Sequence, residues 1–148
     1  MPIDDLDRTI LGLLRADARA SYADMGDRVG LSPSAVKRRM DRMIADGVIQ
    51  GFTVLVDPEI DGRSTEAYVE LFCRGTVAPD ELTRILSGIP DVDEAFTVTG
   101  SADAIVRIRA QSPPHLEVAL EKVRLAPQVD STRSAIVLSR LFGPRSVD

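Results

Sequence analysis

Apolar residues recur at helical spacing through the first third of this chain and at strand spacing through much of the rest. Leu6, Ile10, Leu13 and Leu14 make one stripe, with Asp4 or Asp5 placed to cap its start. Ser21, with Asp24 three residues on, resembles a capping box and opens a second short helix through Val29. Gly30 suits the left-handed stop that ends that helix, and Leu31 closes the turn. Ser32 then carries the side-chain oxygen an N-cap needs, and Pro33 fits a first helical turn, where its missing N–H is not required. Val36, Met40, Met43 and Ile44 form the apolar stripe of this third helix, which Gly47 stops. Three helices, the last two separated by a few residues around a glycine, predict a helix-turn-helix. Gly26 falls where the second and third helices are expected to cross, and a small residue there permits close approach.

Val48 to Val56 is rich in Val, Ile and Phe and reads as an extended strand, followed by turn signals at Asp57-Pro58 and Asp61-Gly62. From there the period shifts. Ala67, Val69, Leu71 and Cys73 alternate with Glu66, Tyr68, Glu70 and Phe72. A helix from Pro79 carries Leu82, Ile85 and Leu86. Strands follow over Val92 to Thr99 and Ala104 to Ala110, around a turn from Gly100 to Asp103. Ser112 is placed to cap a helix with Leu116, Leu120 and Val123 inward, and a last strand is expected from Thr132 to Leu141. Pro90-Asp91-Val92-Asp93 and Pro127-Gln128-Val129-Asp130 each follow a helix and precede a strand, a weak internal repeat. The expected fold class is therefore α+β. A three-helix helix-turn-helix domain (1–56) is joined by the extended strand and a linker (57–64) to a βαββαβ ferredoxin-like domain (65–148). Two helices on one face of four strands leave the other sheet face bare. Tyr68 and Phe72 fall on that face, so a homodimer is expected.

Charge changes the picture of the third helix. The chain carries −5 in total, yet Lys37, Arg38, Arg39 and Arg42 against Asp41 give that helix +3, leaving −8 for the rest. An acidic body with one basic helix repels DNA everywhere except at that helix. Ser34, Arg38 and Arg42 fall opposite the apolar stripe, with Lys37 and Asp41 beside them. Serine near a helix start suits phosphate or base contacts, and arginine can hold guanine bidentately. Ser32, Ser34, Lys37, Arg38 and Arg42 are accordingly the candidate DNA contacts, with Arg38 the base reader and double-stranded DNA the partner.

Other chemistry is sparse. Cys73 is the only cysteine, which excludes an intrachain disulfide and makes a cysteine zinc site implausible. It reads as a small buried hydrophobe. His115, the only histidine, follows Ser112-Pro113-Pro114 and suits a surface or capping role. No nucleophile–base pair, phosphate-cradling loop or metal-ligand cluster stands out, so neither an enzyme nor a cofactor is expected. No apolar run approaches the roughly 20 residues of a membrane helix. The acidic N-terminus lacks the features of a signal peptide, so a cytoplasmic location is expected.

Taken together, four segments resemble the Lrp/AsnC regulators. They are Leu6-Asp7-Arg8-Thr9-Ile10-Leu11, Arg28-Val29-Gly30-Leu31-Ser32-Pro33-Ser34-Ala35-Val36, Gly47-Val48-Ile49-Gln50-Gly51-Phe52 and Val98-Thr99-Gly100-Ser101-Ala102-Asp103. The resemblance covers nearly the whole chain. It implies a helix-turn-helix joined to an amino-acid-regulation (RAM) domain, dimers assembling further, often to octamers, and a small effector such as an amino acid bound between dimers. It also implies effector contacts at Thr99, Gly100, Ser101 and Asp103, with Ser134 where the family often has threonine. Ala102 and Ala104 flank Asp103 where the family often has an aromatic neighbour. Two other readings compete. One is an enzyme like the tetrapyrrole decarboxylases of related architecture, for which a lone histidine is thin support. The other is an amino-acid-sensing scaffold without DNA binding, against which stand the intact cap and outward arginines.

Overall fold

The computed structural model describes residues 3–143. The chain divides into two units, Met1–Val54 and Leu55–Asp148. In the first, α1 (Asp5–Ala16), α2 (Tyr22–Val29) and α3 (Pro33–Ala45) enclose a core of Ile10, Met25, Val36, Met40 and Met43. Each helix starts where a side chain takes up an orphan backbone N–H. Asp4 accepts from Asp7 N at 2.8 Å while Asp7 accepts from Asp4 N at 3.2 Å, a capping box with aspartate in both places. Ser21 accepts from Asp24 N at 3.0 Å, but the Asp24 carboxylate accepts from the Ser21 hydroxyl rather than from its backbone N–H.

The turn between α2 and α3 explains Gly26 differently from the crossing expected. Gly30 takes φ 69° and Leu31 N donates to Gly26 O at 2.9 Å, which folds the Leu31 backbone onto α2. A Cβ on Gly26 would overlap the Leu31 carbonyl oxygen. The glycine thus makes room for the turn itself.

Ile44, expected in the α3 stripe, is exposed. The helix ends at Ala45, and Gly47 at φ 71° reverses the chain so that Ile49 packs on the core instead. Val48 N and Ile49 N both donate to Met43 O, closing this end. The strand expected over Val48 to Val56 does not form among the described residues. Phe52, Val54, Leu55 and Val56 stay exposed, since an apolar run becomes a strand only where another edge meets its N–H and C=O groups.

The second unit runs β1 (Thr65–Cys73), α4 (Pro79–Leu86), β2 (Val92–Thr97), β3 (Ala104–Ala110), α5 (Pro113–Arg124), β4 (Val129–Ile136), the expected βαββαβ order. The sheet order is β2-β3-β1-β4, antiparallel throughout. Ala67, Val69, Leu71, Val106 and Ile108 meet Leu82, Leu86, Leu116, Ala119 and Val123 of the two helices. The last strand lies several residues earlier than Thr132 to Leu141. Its pairing starts at Cys73↔Val129, shifts register after it, and stops at Ala67↔Ile136, near the start of β1.

Strand alternation puts Glu66, Tyr68, Glu70 and Phe72 on the face away from the helices. That face is charged as well as apolar. Arg107 reaches Asp93, Glu94 and Glu66, and Arg133 pairs with Glu70 while lying 5.8 Å over the Phe72 ring. Tyr68 and Phe96 remain exposed there.

Candidate nucleic-acid interface and effector loop

The start of α3 is a cluster of hydroxyls. Ser32 accepts from Ala35 N at 3.3 Å as N-cap, and its hydroxyl lies 3.1 Å from that of Ser34. Both serines are exposed, as are Lys37 and Arg38 on the next turn. Lys37 bonds Asp41 at 2.5 Å, with more than half of each side chain in solvent. This bond holds the ammonium's pKa above its usual value. An exposed i,i+4 pair of this kind is screened and weak, so a phosphate can replace Asp41. Arg38 makes no hydrogen bond or ion pair among the described residues.

Arg42 is placed differently from the expectation. It follows Ser34 and Arg38 at one-turn intervals, yet its Nη2 donates to Asp7 Oδ2 at 2.6 Å. Arg39 donates to Asp7 Oδ1 at 2.8 Å and to Asp4 Oδ2 at 2.6 Å. Asp7 is fully buried between the two guanidinium groups, with the capping N–H of Asp4 as a further donor. The Asp4 carboxyl is held below the usual carboxylate range, first by the Asp7 N–H and then by Arg39. Removing either arginine would leave the buried Asp7 carboxylate short of a partner, which costs more than breaking the exposed Lys37 contact. The free chain therefore keeps Arg42 on α1. Asp7 escaped the sequence reading, but its spacing to Ile10 and Leu14, three and seven residues on, places a carboxylate on the buried stripe. A carboxylate there needs a cation, and α3 supplies two.

In the second unit the loop from Val98 to Asp103 turns through Gly100 at φ 113°, a conformation that favours glycine. Asp103 fastens it to the end of β1. Its carboxylate accepts from Cys73 N at 2.7 Å and its own N–H donates to Leu71 O at 2.9 Å. Burial, and then the Asp103 charge, push the Cys73 thiol up from its ordinary value. Thr99, Gly100 and Ser101 project at the tip with exposed surfaces, while Ala102 and Ala104 are buried under the loop. Ser134 is not brought to this loop within one chain. It pairs with Val69 on edge strand β4, whereas Ala104 pairs with Leu71 on the other side of β1. His115 Nδ1 lies 2.7 Å from the Ser112 hydroxyl, so Ser112 occupies the N-cap position without a side-chain bond to the backbone. No group of three metal-ligating side chains occurs among the described residues, and no described helix is long and apolar enough to cross a membrane.

A helix-turn-helix with its cap and two of its cations, Lys37 and Arg38, exposed, followed in the chain by a βαββαβ sheet domain, defines a two-domain DNA-binding regulator. Comparison with known proteins makes this specific. Residues 3–44 match the AsnC-type helix-turn-helix domain and residues 66–147 the Lrp/AsnC ligand binding domain. The chain is 49% identical over 140 residues to the HTH-type transcriptional regulator Rv2324 of Mycobacterium tuberculosis, covering 95% of each. It is 33% identical to LrpA of the same organism, over 97% of this chain and 95% of that one. Among solved structures, the feast or famine regulatory protein Rv3291c of M. tuberculosis complexed with L-methionine superposes with a TM-score of 0.88 at 32% identity. AsnC of E. coli does so with 0.87 at 26%. Both superpositions cover 99% of each chain. The chain belongs to the Lrp/AsnC family of transcription regulators, and the enzymatic reading is set aside because its relatives are regulators.

Proposed function

We propose that this regulator reads DNA with the N-terminal half of α3 and responds to a small effector, an amino acid, at its second domain. Ser32 and Ser34 contact phosphate, Lys37 exchanges Asp41 for phosphate, and Arg38 reaches a base edge in the major groove. The observation that carries this is Arg38, exposed beside two N-terminal hydroxyls and without a partner among the described residues. The effector approaches the exposed tip at Thr99, Gly100 and Ser101, and Asp103 sets the shape of the loop. Because Ser134 lies on the far side of β1, its contribution is to a site completed by another copy of the chain. A homodimer using the sheet face of Tyr68, Phe72 and Phe96, assembling further to an octamer, supplies that copy, and cytoplasmic residence suits this role. The L-methionine complex of Rv3291c supports an amino acid as the effector class.

In-vitro selection of bound duplexes, repeated with each amino acid added, tests the reading. A pseudo-palindromic site with half-sites about one helical turn, or a multiple of it, apart is expected. At least one amino acid should change affinity or the size of the complex. No enrichment over random sequence at low salt refutes the DNA reading, and no response to any amino acid refutes the effector class.

A further inference from the structure

The four cations of α3 are not equivalent. Lys37 and Arg38 are exposed, whereas Arg39 and Arg42 are held by the carboxylates of Asp4, the N-cap of α1, and Asp7, which lie 32 to 35 residues earlier in the chain. With Asp4 and Asp7 counted, the +3 of α3 falls to +1. Arg42 stands on the same stripe as Arg38 and Ser34, the stripe given to DNA above, so its guanidinium would reach for phosphate if nothing else held it. Asp7 offers no oxygen to spare. Oδ1 accepts from Arg39, and Oδ2 from Arg42 and from the Asp4 N–H.

We infer that Asp7 is a positioning residue for DNA recognition: it withholds Arg42 and Arg39 from the phosphate backbone, leaving Arg38 as the reading cation of α3. The inference rests on the assignment of α3 to DNA. Phosphate contacts are blind to sequence, so each cation withheld lowers non-specific binding more than specific binding and widens the ratio between them. Asp7 therefore does more than cap and pack α1. It sets how much of the charge of α3 is visible to DNA.

Salt dependence separates this role from a purely structural one, because loss of folded protein lowers apparent affinity without changing the number of counterions released. Binding of the full chain to a random-sequence duplex is measured by fluorescence anisotropy between 50 and 200 mM salt. Asp7→Asn, close in shape but uncharged, is expected to steepen the log–log slope by roughly 0.9 for each guanidinium released, about a threefold to fourfold larger loss of affinity across that range per contact. Arg42→Gln in the Asp7→Asn background returns the slope toward that of the unaltered protein. Arg42→Gln alone leaves the slope unchanged, because that arginine is already occupied. If Asp7→Asn fails to fold, this single variant still exposes the inference to refutation. A slope flattened by about 0.9 in Arg42→Gln, or unchanged in folded Asp7→Asn, overturns the inference alone. Absence of binding by the unaltered protein at 50 mM salt overturns the DNA assignment of α3 and this inference with it.

Discussion

Arg38 and Arg42 stand one turn apart on the same stripe of α3, and only Arg42 is engaged: its Nη2 lies 2.6 Å from the buried carboxylate of Asp7. Two like side chains at equivalent helical positions thus differ in their partners. Arg38→Ala is expected to cost about 1–3 kcal/mol on a selected site and to relax preference at one base position. Equal weakening on selected and random duplexes in a competition assay would mark Arg38 as a phosphate contact instead.

Two glycines of the first unit predict opposite signs. Gly26→Ala drives a methyl group into the Leu31 carbonyl and should destabilise this unit by roughly 1–3 kcal/mol. Gly12→Ala meets nothing within 4 Å on an exposed position of α1 and should stabilise it by about 0.5–1 kcal/mol. Urea unfolding followed by helical signal checks both. A neutral Gly26→Ala would show that the turn relaxes freely.

Asp103 ties the loop to β1 through the Cys73 N–H, and its charge also raises the Cys73 thiol's pKa. Asp103→Ala should lower stability by about 1 kcal/mol, for one hydrogen bond lost near the surface. Asp103→Asn retains an acceptor and removes the charge, so the thiolate fraction of Cys73 rises. Alkylation at mildly alkaline pH should then be faster than in the unaltered chain, and an unchanged rate would mean that Asp103 does not act on this thiol.

Acid should loosen the first unit through Asp4. Its folded-state pKa lies below the ordinary value near 4, so its contribution is complete above that value and is lost as pH falls through the lowered one. At neutral pH Asp4→Asn should unfold at lower urea than the unaltered chain. The two midpoints should converge as the pH falls from the ordinary value through the lowered one. A difference that does not shrink with acid would assign the effect to packing rather than to charge.

Much of this was legible along the chain because its causes are local. Asp4, Ser21 and Ser32 as caps, Gly30 and Gly47 as stops, and the change from helical to alternating apolar spacing each act within a few residues. Those features by themselves determined the helix-turn-helix and the βαββαβ order. Tertiary structure alone decided the partners. Asp7 meets Arg42 across 35 residues, Asp103 meets Cys73 across 30, and Gly26 is constrained by the Leu31 carbonyl only once the turn has closed. It also decided which apolar residues are left over: Ile44 yields its place to Ile49, and Val54 and Leu55 find no strand edge among the described residues. The physical reason is range. Caps, stops and periodicity are set by backbone geometry over one or two turns, whereas the choice between free and neutralised charge depends on which distant carboxylate the fold buries beside it.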